Sequence, residues 1–329
     1  MRKLIVITGP TATGKSILGA ALAKAVGGEV VSADSMQIYK HMDIGTAKPT
    51  EQEKLGVPHH MLDVIPPWED YSAARYVAEA SGCIDDILKR GKQPVLAGGT
   101  GLYIDSLISG LEFSARGDAA RRREIEEDYD ERGGEAMLEK LRRFDPESAA
   151  KLNAKDKKRI VRAIEVYETT GVTISEHDHA TKLTPPRYDA VKYALTFAGR
   201  DTLYARIDAR IDTMIRQGLE AEVRSLLDMG VPPGSTAMQA IGYKEMADAI
   251  NGCCDMAAAV ERIKQESRRY AKRQLTWLRR DSGVNWVTWS EAPEIESTVQ
   301  SIITESKFER QAFKPYEGRP PKADGINEK

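Results

Sequence analysis

Gly9-Pro10-Thr11-Ala12-Thr13-Gly14-Lys15-Ser16 is the stretch that decides how this chain is read. It follows Leu4-Ile5-Val6-Ile7, a short β-branched apolar run patterned as a buried strand. It precedes Ile17-Leu18-Gly19-Ala20-Ala21-Leu22-Ala23, which patterns as a helix. Strand, glycine loop with Lys-Ser, then helix is the setting in which a G-x-x-x-x-G-K-[ST] match becomes a phosphate site. Gly9 and Gly14 permit backbone conformations closed to residues with a Cβ, so successive N–H groups can turn inward around an anion. The helix N-terminus adds unpaired donors and partial positive charge. Lys15 is placed to reach an outer phosphate, and the Ser16 hydroxyl suits Mg²⁺. Such a loop binds pyrophosphate whatever is attached to it, so the remaining sequence must identify the ligand.

The chain has 329 residues, 41% hydrophobic and 30% charged, a composition typical of soluble globular proteins and long enough for two domains. Met1-Arg2-Lys3 and the few apolar residues after it are too short for a signal peptide, and no apolar run approaches the roughly 20 residues that span a bilayer. Cys83, Cys253 and Cys254 have neither metal-ligand spacing nor disulfide logic. Reduced thiols, a cytoplasmic location and no membrane partner are therefore expected. The net charge of -2 hides an uneven distribution of basic residues along the chain.

Glu29-Val30-Val31-Ser32 reads as a second strand, and it delivers Asp34. In open α/β sheets functional groups gather at the carboxyl ends of strands, so Asp34 is expected beside the phosphate loop. Residues 40–70 read as a long loop region, with His59 and His60 as structural or surface residues. A helix over 73–90 leads to a third strand, Pro94-Val95-Leu96-Ala97, which ends in Gly98-Gly99-Thr100-Gly101. A kinase or ATPase usually ends such a strand with an acid that helps hold Mg²⁺; Gly and Thr stand there instead. Residues 119–129, 134–143 and 146–170 pattern as charged helices, followed by a polar linker over 171–187 that carries His177 and His179. Residues 193–197 return as a strand, and 203–218 as an amphipathic helix with Arg206 and Arg210 neighbours on one flank. The helix over 262–280 carries Lys264, Arg268, Arg269, Lys272, Arg273 and Arg279 with Tyr270 and Trp277 interleaved, a pattern suited to RNA backbone and unstacked bases. Residues 284–289 form the last strand. The expected fold is α/β, a P-loop NTPase-like core with a parallel sheet. Residues 1–114 and 188–307 make the core, 115–187 a helical insertion, and 308–329 a disordered tail.

Five motifs in order carry a resemblance: residues 9–16, Asp34-Ser35-Met36-Gln37-Ile38-Tyr39, Gly98-Gly99-Thr100-Gly101-Leu102-Tyr103, Gln239-Ala240-Ile241-Gly242-Tyr243-Lys244, and Lys272-Arg273-Gln274-Leu275-Thr276-Trp277-Leu278-Arg279. Over roughly residues 3–290 the chain resembles the tRNA dimethylallyltransferases, the bacterial isopentenyl-tRNA transferase family. The resemblance implies transfer of a dimethylallyl group from its pyrophosphate to N6 of the adenosine just 3′ of the tRNA anticodon. It implies that Gly9, Pro10, Thr11, Ala12, Thr13, Gly14, Lys15 and Ser16 hold the donor pyrophosphate with Mg²⁺, and that Arg206 joins them. Asp34 matches the general base, with a possible link to the metal through water, and Thr100 matches the residue beside it that contacts the reacting amine. Segments matched to tRNA contact are Ser35, Met36, Gln37 and Ile38; Arg122; Lys158, Arg159, Ile160, Val161 and Arg162; Gln239 to Lys244; and Lys272 to Arg279. The partners implied are the anticodon stem-loop and dimethylallyl pyrophosphate, with the chain acting as a monomer. Ser16 stands where many members have Thr, and both hydroxyls can ligate Mg²⁺.

This chemistry suits the residues taken alone. An exocyclic adenine amine is a weak nucleophile that needs a proton acceptor as its C–N bond forms, and a strand-end carboxylate can serve. Lys15 and the loop amides can stabilise charge growing on a leaving pyrophosphate. A P-loop small-molecule or nucleotide kinase would instead consume ATP. A non-catalytic, nucleotide-gated RNA-binding module would bind tRNA unchanged and leave Asp34 and Thr100 without a role.

Overall fold

The apolar run at the start of the chain forms β1 (Leu4–Thr8), buried at every position as an inner parallel strand should be. The computed structural model describes residues 3–111 and 119–305. Among these, β1, β2 (Glu29–Ser32), β3 (His59–His60), β4 (Pro94–Ala97), β5 (Ala190–Phe197) and β6 (Val284–Trp289) form one sheet, ordered β3-β2-β4-β1-β5-β6. Every strand pair in it is parallel. The chain runs from β1 out to β2, returns to β4 in between, and then crosses to β5 on the other side of β1. The direction of winding therefore reverses at β1, and the loops after β1, β2 and β4 open on one crevice. Their register is level, with Ala97 of β4 opposite both Ile7 and Ser32.

Helices α1 (Lys15–Ala25), α2 (Ala73–Lys89) and α3 (Gly101–Ser109) belong to this first half. Tyr76 of α2 stacks on Tyr103 of α3 with ring centroids 3.9 Å apart, and its hydroxyl donates to Ser32 O at 2.9 Å, which seats α2 against the end of β2. Next come α4 (Ala119–Arg132), α5 (Gly134–Arg142), α6 (Pro146–Ala150), α7 (Lys157–Thr170) and α8 (Ile174–Leu183). They carry a second hydrophobic cluster, separate from the one around the sheet, that includes Ile125, Leu138, Leu141, Ile160, Val161 and Ile164. After β5 follow α9 (Arg200–Gln217), α10 (Leu219–Asp228), α11 (Tyr243–Ile250), α12 (Met256–Leu278) and, beyond β6, α13 (Ile295–Glu305).

Three sequence expectations change. The polar linker over 171–187 contains α8, started by a capping box in which Thr173 Oγ1 accepts Glu176 N–H at 3.1 Å and Glu176 accepts Thr173 N–H at 2.8 Å. The helix expected over 146–170 is two helices. Between them the Asn153 side chain accepts Lys155 N–H at 3.0 Å and Asp156 accepts Asn153 N–H at 2.9 Å, local bonds that compete with helical ones. Residues 59–60, expected in a loop, add a short edge strand to β2. The tail expected over 308–329 lies outside the described residues.

Glu29 anchors this edge. Its buried carboxylate takes Arg90 at 2.5 and 2.8 Å, Lys92 at 2.7 Å and His60 at 2.8 Å, so one side chain joins β2, β3, the end of α2 and the approach to β4. The Arg90 guanidinium, with help from Lys92 and His60, holds the carboxyl well below the usual carboxylate range against the opposing effect of burial. Glu29→Gln leaves Arg90 and Lys92 without that charge. The expected cost is about 2 kcal/mol at neutral pH, below the 3–5 of a fully buried pair because both cations are partly exposed. A group with a lowered pKa stabilises above its unfolded value and loses that contribution as pH falls, so the difference in Tm between wild type and variant should narrow below about pH 4.5.

Candidate functional site

The loop after β1 has the unusual backbone its glycines allow. Gly9 (φ 143°) and Gly14 (φ 83°) lie at positive φ, and a Cβ on Gly9 would stand 2.6 Å from Leu195 O. Ala12 also has positive φ, at 65°, so the loop spends strain on its shape without glycine there. Thr13 Oγ1 and Lys15 Nζ both donate to Pro10 O at 2.8 Å. Burial, with Arg210 close by, pushes the Lys15 ammonium down to about 7, although Asp34 opposes this.

The turn after β4 is tied to this loop by Gln274 of α12. Gln274 Oε1 accepts Thr11 N–H at 3.0 Å, and Gln274 Nε2 donates to Gly99 O at 2.9 Å. A Cβ on Gly99 would meet Gln274 Nε2 at 2.3 Å, one on Gly101 would meet the Trp277 ring at 2.6 Å, and one on Gly98 would meet Ala33 O at 2.2 Å. The glycines of this motif thus allow α12 and the β2 end to close on the turn. Thr100 Oγ1 accepts Ser35 N–H at 3.0 Å, which locks the β2 and β4 turns together. Asp34 sits in that junction, its Oδ1 accepting Met36 N–H at 2.9 Å; among the described residues no hydrogen bond reaches its Oδ2.

Two cavities meet at Asp34. One, of about 430 Å³, is the more polar of the two and is lined by residues that include Thr11, Gly14, Lys15, Ser16, Arg210 and Gln274. The other, of about 310 Å³, is walled largely by Met36, Ile207, Ile211, Met214, Leu219 and Ile263. Asp34, Thr11, Thr46, Arg210, Met214 and Tyr270 line both. Burial and the nearby Asp34 charge push the Tyr270 phenol up to about 12, although its hydrogen bond with Thr100 opposes this, so Tyr270 is a neutral hydroxyl at the junction.

The candidates drawn from the sequence divide by burial and reach. Arg206 lines neither cavity: its Nε donates to Ala12 O at 3.4 Å and its guanidinium lies 5.1 Å from the Phe197 ring centroid. Arg210, one turn later, reaches both cavities, and sequence reasoning noted it only as a neighbour of Arg206. Tyr270 was likewise read only as an aromatic among basic residues. Ser35 and Met36 face the apolar cavity, Gln37 is buried but borders the polar one, and Ile38 is buried in the core. Ile160, Val161, Ala240, Tyr243, Gln274 and Leu278 are buried as well; Ile160 and Val161 face the second hydrophobic cluster, while Ala240 borders the apolar cavity and Gln274 the polar one. Gly242 is buried and Ile241 half-buried, both against the apolar cavity. Arg122 and Arg162 both pair with the fully buried Glu165, at 2.9 and 3.0 Å. Leu275 and Trp277 are half-buried, and Trp277 Nε1 donates to Asp105 at 2.6 Å. Lys158, Arg159, Gln239, Lys244, Lys272, Arg273, Thr276 and Arg279 are exposed. His179 pairs with Glu147 at 2.7 Å, and no group of three or more His, Cys, Asp or Glu among the described residues could hold a metal.

A family model described as IPP transferase matches residues 37–281, and one described as isopentenyl transferase matches residues 2–63. The chain belongs to the IPP transferase family. The tRNA dimethylallyltransferase of Acetivibrio thermocellus is 44% identical over 303 residues, 92% of this chain and 96% of that one. That of Geobacter sulfurreducens is 46% identical over 287 residues, 87% and 92% of the two chains. Among solved structures, the tRNA isopentenylpyrophosphate transferase of Bacillus halodurans is similar with a TM-score of 0.69 at 39% identity, covering 93% of this chain and 96% of that one. A eukaryotic dimethylallyltransferase acting on tRNA is similar with a TM-score of 0.80 at 28% identity, covering 94% and 81%. Among the described residues no helix of this family member is long and apolar enough to cross a membrane.

The lowered Lys15 pKa has a measurable consequence. An anion at the loop favours the ammonium, so binding of pyrophosphate above about pH 7 should draw a proton onto Lys15. Calorimetry at about pH 8 in buffers of different ionisation enthalpy should report uptake approaching one proton per pyrophosphate bound. In Lys15→Met the affinity should drop and the uptake should vanish; uptake that survives the substitution would assign the proton to another group.

Proposed function

We propose that this protein transfers a dimethylallyl group from dimethylallyl pyrophosphate to N6 of the adenosine 3′-adjacent to the tRNA anticodon, releasing pyrophosphate. The observation that carries this reading is the pair of adjoining cavities, one polar and one apolar, with a carboxylate at their junction. A prenyl pyrophosphate is itself polar at one end and apolar at the other. Loop amides, Lys15 and Arg210 would take its phosphates, and the apolar walls would exclude water from the allylic carbon. The Ser16 hydroxyl faces the polar cavity and Asp34 stands on its rim, a sparse donor set that suits Mg²⁺ held mainly by phosphate oxygens and water. Bound there, Mg²⁺ would offset negative charge on the departing pyrophosphate.

In the transfer, the N6 lone pair forms a bond to the allylic carbon as its C–O bond breaks. The electrons of that bond leave on pyrophosphate, and the surplus N6 proton passes to Asp34. The backbone bond from Met36 fixes one Asp34 oxygen and leaves the other for the amine. Thr100, set by Ser35 and Tyr270, would hold the adenine edge beside it. The target base must leave its stack to enter, which calls for a grip on the surrounding RNA. The exposed face of α12 (Lys272, Arg273, Thr276 and Arg279), Gln239, Lys244, Lys158 and Arg159 support that role. A kinase is disfavoured because the β4 end offers Gly98, Gly99 and Thr100 where an acid would assist the metal.

Asp34→Asn keeps size and polarity and removes the proton acceptor. Single-turnover transfer to unmodified tRNA should fall by about 10²–10⁴-fold while donor affinity stays near wild type. Thr100→Val should cost less. A near-normal rate in Asp34→Asn would reject Asp34 as the base, and rescue by added Mg²⁺ together with weakened donor binding would make it an organiser of the metal. The RNA grip is tested separately: Lys272→Ala with Arg279→Ala should weaken tRNA binding and flatten its dependence on salt by about one unit of log slope per lost phosphate contact. An unchanged slope would remove this face of α12 from the interface.

A further inference from the structure

Glu222 lines neither cavity, yet its carboxylate is bonded on several sides. Its Oε2 accepts Asp43 N–H at 2.9 Å and Ile44 N–H at 2.8 Å, and its Oε1 accepts Gly45 N–H at 3.1 Å and the Tyr243 hydroxyl at 2.5 Å. Three successive amides turned to one point ordinarily bind a free anion; here α10 supplies the anion from its own first turn. The segment so gripped is the wall common to both cavities: Gly45 and Thr46 border the apolar one, and Asp43, Ile44, Thr46 and Ala47 the polar one. Its carbonyl side is held independently. Gln37 Nε2 donates to Thr46 O and Ala47 O, both at 3.3 Å. Contact with α11 is tight, since a Cβ on Gly45 would stand 2.4 Å from the Tyr243 ring.

We propose that Glu222, with Tyr243, is a positioning residue for the pyrophosphate donor, holding residues 43–46 as the wall against which phosphates and prenyl chain are set. The inference rests on the donor assignment made above. Glu222 touches no substrate; it acts through the backbone of the wall. Tyr243, matched by resemblance to RNA contact, acquires a different task here, because its buried hydroxyl is spent on Glu222. Glu222→Gln keeps the volume but removes the charge and turns a carboxamide NH2 toward donors on one side, so the grip is weakened at the wall and the α10 packing is kept. Tyr243→Phe removes one hydrogen bond and keeps the ring against Gly45.

The test uses the full chain as wild type, Glu222→Gln and Tyr243→Phe, with dimethylallyl pyrophosphate, unmodified tRNA and, as a separate probe, inorganic pyrophosphate. Glu222→Gln should raise the donor KM by about ten- to a hundredfold, the effect of losing charge-assisted bonds to a preformed wall, with Tyr243→Phe in between. The KM for tRNA should stay within about twofold and Tm close to wild type, a split that a loss of general packing would not produce. Trypsin cleavage after Lys40 should quicken in Glu222→Gln and slow again on adding pyrophosphate. An unchanged donor KM, or both KM values and Tm worsening together in both variants, would overturn the proposal. If the wild type moves no dimethylallyl group yet Glu222→Gln still loosens pyrophosphate and speeds cleavage, the transferase reading falls and the positioning role stands.

Discussion

A single carboxamide joins the parts of the site that the sheet brings near one another. Gln274 accepts from the loop after β1 and donates to the turn after β4, and it does so from a helix that arrives some 175 residues later than that turn. The turn after β4 could not take this bond if Gly99 carried a side chain, because its backbone approaches Gln274 too closely. The remaining contacts follow in sequence. Trp277 lies over Gly101 one turn along α12, Thr100 is thereby held where Ser35 N–H reaches it, and Asp34 is fixed between them. The long-range bond defines the crevice more than any local propensity does.

Electrostatically the crevice is unbalanced in a useful sense. Burial disfavours the charge on both Lys15 and Arg210, and the Arg210 guanidinium depresses the Lys15 ammonium further. Asp34 offsets only part of it. Two cations held together in a poorly solvated place raise the energy of the protein unless an anion with several oxygens arrives, which favours a doubly charged phosphate group over a single carboxylate. The neutral Tyr270 hydroxyl adds polarity at the junction without altering that balance.

Much of this was legible in the sequence, and the exceptions have physical causes. The loop at 9–16, the strands at β1, β2, β4 and β6, and the crevice position of Asp34 and Thr100 are local matters of pattern and spacing, so they could be read directly. Contiguous motifs are harder to divide residue by residue, because a motif contains its own packing positions: Ile38, Tyr243 and Leu278 are buried beside exposed or cavity-facing neighbours. Which of Arg206 and Arg210 borders the cavities depends on the rotation of α9 about its axis, which two arginines four residues apart do not reveal. The α8 helix carried its signal in Thr173 and Glu176, a capping box easily passed over in a polar stretch. Glu222 has no motif at all, since its function depends on a loop 177 residues away.

The helices between α3 and β5 leave and rejoin the sheet domain at nearly one place. Arg187 N–H donates to Ile108 O at 2.9 Å, so the chain closes on itself where the excursion begins and ends. The excursion also has its own hydrophobic cluster, with Phe144 stacked on Tyr167 at 4.1 Å and Asp145 binding Ser175 at 2.6 Å. A segment tethered at one point and packed upon itself places little demand on the register of the strands beneath it. Its length and surface can therefore change without disturbing the order of β4, β1 and β5.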